Sequence, residues 1–133
     1  MKTAIITGAA KGIGRAIAER LAGDGFAIVI ADADEKAALA AAAELEGSPA
    51  KAALGIGVDV SDSAAVRRMA QTVVEKFGTI DVLVNNAGIA GASVPVHEYP
   101  EDEWRRVMAI DLDGVFYCCR AVLPAMLAQG SGR

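Results

Sequence analysis

The feature that most constrains this chain is the run Thr7-Gly8-Ala9-Ala10-Lys11-Gly12-Ile13-Gly14. It follows a short apolar segment, Ala4-Ile5-Ile6, and opens an amphipathic one, Ile13 to Leu21. That order predicts strand, glycine turn, helix. Gly8 has no Cβ and tolerates the positive φ a sharp exit from a strand requires. Gly12 and Gly14 keep side chains away from the helix start. Unpaired backbone N–H groups and the positive end of the helix dipole there form a seat for a phosphate. The spacing is Gly-x-x-x-Gly-x-Gly, not the commoner Gly-x-Gly-x-x-Gly, and no Gly-Lys-Ser/Thr follows as in a P-loop.

The rest of the chain extends the same alternation. Strand 2–7 and helix 12–24 come first, the helix with Ile13, Ala16, Ile17 and Leu21 on one face. Phe26 to Ala31 is continuously apolar, as in a parallel strand buried on both sides, and ends directly at Asp32. Asp34 is placed to cap an alanine-rich helix running to about Glu46, after which Gly47-Ser48-Pro49 breaks the chain. Residues 52–58 read as a weaker strand, interrupted by Gly55 and Gly57. Ser61 or Asp62 caps a helix whose Val66, Met69, Ala70, Val73, Val74 and Phe77 keep the 3.6 period, closed by Gly78. Asp81-Val82-Leu83-Val84 is the fourth strand and leads into Asn85-Asn86-Ala87-Gly88. A loop spans 89–100, long enough to suggest a functional role. The last helix is expected from about Glu101 to Ala128, with Trp104, Met108, Val115, Cys119, Val122 and Met126 on one face. Pro124 is expected to kink it or end it early. Four strand–helix alternations imply right-handed βαβ units and an α/β fold with a parallel sheet.

Composition narrows the partners. With 133 residues, 53% of them hydrophobic, and a net charge of −4, the chain has enough for one core and no basic segment to hold nucleic acid. No apolar run approaches a membrane span. Met1-Lys2 leads straight into the first strand, leaving no room for a signal peptide's apolar core, so a cytoplasmic protein is expected. Cys118 and Cys119 are adjacent and read as a reduced, buried pair. His97, the only histidine, lacks companions for a metal site and reads as a solvated loop residue.

Three features together resemble the short-chain dehydrogenase/reductase family: Thr7-Gly8-x-x-x-Gly12-x-Gly14 after the first strand, Asp59-Val60 after the third, and Asn85-Asn86-Ala87-Gly88 after the fourth. The resemblance spans Lys2 to Arg133. It implies a Rossmann-like fold, an α/β, doubly wound parallel sheet in the order 3-2-1-4, with a nicotinamide dinucleotide bound where the strand order reverses, between strands one and four. It implies that Gly8, Lys11, Gly12 and Ile13, with Gly14, hold the pyrophosphate. Asp59, with Val60 beside it, would accept from the adenine amino group. Asn86, Ala87 and Gly88 would line the adenosine ribose and brace the sheet. The implied reaction is hydride transfer between the nicotinamide and an alcohol or ketone carbon.

Asp32 stands eighteen residues after Gly14, near the spacing of an acid that binds ribose hydroxyls. Its carboxylate accepts from NAD and repels the 2′-phosphate of NADP. A unit charge pair at ~4 Å costs ~1 kcal/mol in water and ~4 kcal/mol at an intermediate dielectric, roughly tenfold to a thousandfold in affinity. Lys11 partly offsets this, since a basic residue in this turn sometimes serves NADP in the family. NAD is therefore the expected cofactor and NADP the lesser one.

The family's chemistry uses Tyr-x-x-x-Lys with a preceding serine, and an asparagine in the helix before them. Here Tyr99 is followed four residues on by Glu103 and Tyr117 by Ala121, and no lysine follows Lys76. The asparagine position holds Asp111, which reads either as a proton-relay position or as a carboxylate reaching solvent or a backbone group at a bend. The chain reads as a single cofactor-binding domain, truncated before its fifth strand. Val82-Leu83-Val84 is then expected to be a bare apolar edge that favours self-association. The rival readings are a non-catalytic nucleotide-binding module and an unstable remnant.

Overall fold

The computed structural model describes residues 1–47, 50 and 52–133. Ser48 and Pro49 of the expected break lie outside the described residues, and Gly47 before them turns with φ +83°. The strands are β1 (Thr3–Thr7), β2 (Ala27–Asp32), β3 (Ala53–Gly57) and β4 (Val82–Val84). They form one parallel sheet, as the alternation predicts, in the order β3-β2-β1-β4 that the resemblance implies. The helices are α1 (Gly12–Gly23), α2 (Glu35–Leu45), α3 (Ser63–Phe77), α4 (Glu101–Met108) and α5 (Gly114–Gln129).

The two-residue period of a strand divides the core into two layers. Ala4, Ile6, Ile28 and Ile30 pack against Ala18 and Ala22 of α1 and Ala38, Ala41, Ala42 and Leu45 of α2. Ile5, Val29 and Ala31 pack on the other face against Val66, Met69 and Val73 of α3 and Cys118, Val122 and Met126 of α5. The alanines of α2 bring its backbone close to the sheet. A Cβ on Gly55 would meet the Ala38 carbonyl oxygen at 2.5 Å, and one on Gly57 would meet Glu35 Cβ at 2.5 Å. The glycines that weaken β3 as a strand in sequence are thus what its tight helix packing requires.

Caps fall where expected. Asp34 accepts from Ala37 N–H at 3.0 Å, Asp62 accepts from Ala64 and Ala65 N–H at 3.1 Å, and Gly78 closes α3 in the left-handed conformation. Two helix faces differ from expectation. On α1 the buried residues are Gly14, Ala18 and Ala22, while Ile17 and Leu21 pack at the flank and Ile13 stands 75% exposed. Close approach to the sheet selects small residues over the larger ones.

The last helix is not continuous. A π-helical turn, Ala109–Asp113, separates α4 from α5. It inserts one residue into the helical repeat. Within α5 the buried stripe is Gly114, Cys118, Val122 and Met126, so Val122 and Met126 lie on the expected face and Val115 and Cys119 are half-buried beside it. Trp104 is exposed and stacks edge-on against Tyr99 at 6.3 Å. Pro124 neither ends nor breaks α5, which runs on to Gln129; the proline lies on the exposed side of the helix.

The edge of β4 is not bare, contrary to expectation. Arg133 N–H donates to the Asp81 carbonyl at 2.9 Å and Leu83 N–H donates to the Arg133 carbonyl at 2.9 Å. Gln129 fixes this return: its Nε2 donates to the Ile80 carbonyl at 2.8 Å and to the Ser131 carbonyl at 3.0 Å. Of the cysteine pair, only Cys118 is buried, and burial, reinforced by Cys119, pushes its thiol up to about 11. Among the described residues no helix is long and apolar enough to cross a membrane.

Candidate functional site

Where β1 and β4 end, their backbones are tied by two side chains. Thr7 Oγ1 accepts from the N–H groups of Asn86 (3.1 Å) and Ala87 (3.0 Å) and donates to the Val84 carbonyl at 3.3 Å. Asn86 Nδ2 donates to the carbonyls of Thr7 (2.9 Å) and Gly8 (3.0 Å). Thr7 is 1% exposed, so its hydroxyl depends on these partners rather than on water; the Asn86 N–H is shared with the Val84 carbonyl at 3.0 Å. Asn86 braces the sheet as expected. The sequence reading missed Thr7 as its counterpart; its signal was a polar residue closing a fully apolar strand.

The turn that follows is shaped by its glycines. Gly8 and Gly12 have φ of +63° and +62°. A Cβ on Gly8 would meet Ala87 Cα at 2.9 Å, whereas one on Gly12 would meet nothing within 4 Å. Gly12 therefore leaves the start of α1 open, and no side chain caps it at Lys11. Gly14 has a different job from Gly12. A Cβ there would meet Asn86 Nδ2 at 2.5 Å and the Gly8 carbonyl oxygen at 2.6 Å, so Gly14 belongs to the frame behind the turn.

A cleft of about 280 Å³ lies at this end of the sheet. Gly8, Lys11, Asp32, Asp59, Val60, Asn86, Ala87 and Gly88 line it, joined by Ala33, Val58, Ile89 and Ile110. Gly12, Ile13 and Gly14 occupy the adjoining first turn of α1. Sequence-predicted residues from four separate strand ends thus converge on one cavity. Asp32 is half-buried at the end of β2, where Oδ2 accepts from Ala10 N–H and Oδ1 from Asp34 N–H, both at 3.1 Å. Asp59 Oδ1 accepts from Ser61 N–H at 2.9 Å and Oγ at 2.6 Å, which orients the carboxylate.

Asp111 lies in the π-turn. Its Oδ1 accepts from Ile89 N–H at 2.8 Å, and a Cβ on Gly88 would stand 3.3 Å from the same atom. The carboxylate thus reaches a backbone group at a bend and ties the segment after β4 to the helix. His97 is 76% exposed on its side chain, 3.8 Å from Glu98, and among the described residues no cluster suits a metal ion. A larger groove of about 430 Å³ runs between α3 and α5, past Val74, Tyr117, Ala121 and Pro124. Its lining includes Glu75 but neither a glycine turn nor an open helix start, which distinguish the smaller cleft.

The sheet order and the glycine turn at its switch point define a doubly wound α/β domain of the Rossmann type. The family model described as short chain dehydrogenase matches residues 2–133, and the chain belongs to the short-chain dehydrogenase/reductase family. It is 41% identical, over 99% of its length, to a 2-dehydro-3-deoxy-L-rhamnonate dehydrogenase (NAD(+)) from Sphingomonas sp. (strain SKA58), covering 51% of that protein. It is 43% identical over 95% of its length to a meso-2,3-butanediol dehydrogenase from Serratia marcescens, covering 49% of it. Among solved structures, an NAD+-bound xylitol dehydrogenase superposes with a TM-score of 0.94 at 39% identity, matching 99% of this chain and 50% of that one. A metagenomic short-chain oxidoreductase in complex with NADP gives 0.90 at 34% identity, over 98% and 58%. The chain spans about half the length of the curated relatives it matches.

Proposed function

We propose that these 133 residues are the cofactor-binding part of an oxidoreductase that moves a hydride between a nicotinamide and an alcohol or ketone carbon, and that they hold NAD in preference to NADP. The observation that carries this reading is the convergence of an uncapped helix start, Lys11 and the half-buried Asp32 on one cleft. These donors fit a dinucleotide. The amides opening α1 and the Lys11 ammonium suit a pyrophosphate. Asp32 accepts from ribose hydroxyls, Asp59 accepts from the adenine amino group through its second oxygen, and Asn86, Ala87 and Gly88 form the wall between. Bound nicotinamide would supply the hydride acceptor or donor; the chain's own work is to hold and orient the dinucleotide. Asp111 sets the position of Ile89 on the cleft wall.

The NAD preference rests on Asp32, which faces the same cleft as Lys11. Calorimetric titration is expected to show NAD binding about ten- to a thousandfold more tightly than NADP, with the gap narrowed in Asp32→Ala. Equal or tighter NADP binding to the unmodified chain would reject the preference. Without Tyr-x-x-x-Lys, no turnover of alcohols or ketones above background is expected from the purified chain. A steady change in NADH absorbance proportional to protein would contradict this.

A further inference from the structure

Asp32 is held in a way that recognition of a ribose does not require. β2 grips the glycine turn at two successive points through its backbone: Gly8 N–H and Ala9 N–H both donate to the Ala31 carbonyl, at 2.7 and 3.4 Å. The Asp32 carboxylate extends this grip by one residue, because Oδ2 accepts from Ala10 N–H at 3.1 Å. The carboxylate is itself fixed by Asp34 N–H on Oδ1, at the corner where Asp34 caps α2. Beyond Ala10 come Lys11, whose side chain is exposed, and Gly12, with left-handed backbone and nothing within 4 Å of its missing Cβ. The next fixed point is the first helical bond, Arg15 N–H to the Lys11 carbonyl at 3.3 Å.

The geometry points to Asp32 as a positioning residue for the phosphate-binding turn, acting through Ala10, in addition to its place at the ribose. This deepens the nucleotide-binding reading and rests on it. The bond from Ala10 is the last crosslink before the amides that would meet the pyrophosphate. Gly12 gives the backbone after it the freedom to swing. With the carboxylate removed, those amides lose their fixed direction even for a ligand that has no ribose hydroxyl to offer. Affinity for the phosphates and affinity for the ribose are thereby linked through one side chain, as expected of a preorganised site.

The two roles of Asp32 predict opposite signs for an NAD analogue lacking the 2′ and 3′ hydroxyls of its adenosine ribose. If Asp32 acts only at the ribose, Asp32→Ala binds this analogue as well as the unmodified chain does, or better, because a negative charge near the phosphates has gone. If Asp32 positions the turn, calorimetry shows the analogue binding Asp32→Ala at least about fivefold more weakly. Amide exchange followed by NMR gives a reading independent of any ligand. The Ala10 amide should be protected in the unmodified chain and lose protection about tenfold or more in Asp32→Ala, while the Gly8 amide, bonded to Ala31, keeps its own. An Ala10 amide that exchanges at the rate of an unstructured chain in the unmodified protein overturns the positioning role even if the variant fails to fold. Equal or tighter binding of the analogue to Asp32→Ala overturns it while leaving the nucleotide-binding reading intact. Failure of NAD itself to bind the unmodified chain overturns that reading instead, and the exchange data still judge the grip on Ala10.

Discussion

Thr7→Val is expected to lower folding stability by about 1–3 kcal/mol, because it leaves the Ala87 N–H without its acceptor, while the Asn86 N–H keeps the Val84 carbonyl at 3.0 Å. Valine matches the shape of threonine and keeps the strand. It removes the oxygen that receives Asn86 and Ala87 N–H at 3.1 and 3.0 Å, at a position with 1% exposure. Thr7→Ser keeps the oxygen and loses one methyl group, costing about 1 kcal/mol. Urea unfolding of the three proteins distinguishes polar satisfaction from packing. Valine and serine variants of equal stability would show that the β1–β4 tie contributes nothing beyond its apolar contacts.

Gly14→Ala should have a sign opposite to the usual one. Alanine at a helical glycine ordinarily gains about 0.5–1 kcal/mol. Here the new methyl meets Asn86 Nδ2, the Gly8 carbonyl oxygen and Ala9 Cα, all at 2.9 Å or less. Two of these are backbone, so the turn itself must shift, and a loss of about 1–3 kcal/mol is expected. The same displacement moves Gly8 on the cleft wall, so NAD affinity should fall about tenfold or more. Gly23→Ala, at the far end of α1 with nothing within 4 Å, is the control and should be neutral or mildly stabilising. Thermal melts read the stability and titration calorimetry reads the binding; a stabilised Gly14→Ala that binds NAD normally would contradict the packing derived for the turn.

The sheet order was legible because each strand announces itself differently. β2 is continuously apolar from Ala27 to Ala31, β1 runs into a glycine turn, and β4 runs into Asn85-Asn86. The helix caps at Asp34 and Asp62 were legible too, since short acids before a periodic run have few other uses. The π-turn was not. An inserted residue changes no composition, and nothing in the apolar spacing marks it. The face at the start of α5 was read one residue off: a Cβ on Gly114 would meet Val60 Cγ2 at 2.6 Å, so Gly114 and Cys118, not Val115 and Cys119, lie against the core. Nor does sequence disclose that Gln129 and Arg133 return to residues 80–83, because those bonds join positions far apart in the chain, Arg133 through backbone atoms any residue carries and Gln129 through a side chain with no local pattern. At the candidate site the residue types were readable and their mutual bonds were not. Asp32 looks like a ribose acid in sequence; its hold on Ala10 exists only in three dimensions.

The proposed binding of NAD in the cleft between the ends of β1 and β4 is open to titration of NAD into the isotopically labelled chain, followed by amide NMR. Saturable shifts are expected at Gly8, Lys11, Gly12, Ile13, Asp32, Asp59 and Gly88, with residues around the α3–α5 groove such as Val74 and Ala121 unmoved. Absence of saturable shifts at millimolar NAD, or shifts centred on the α3–α5 groove instead, would contradict it.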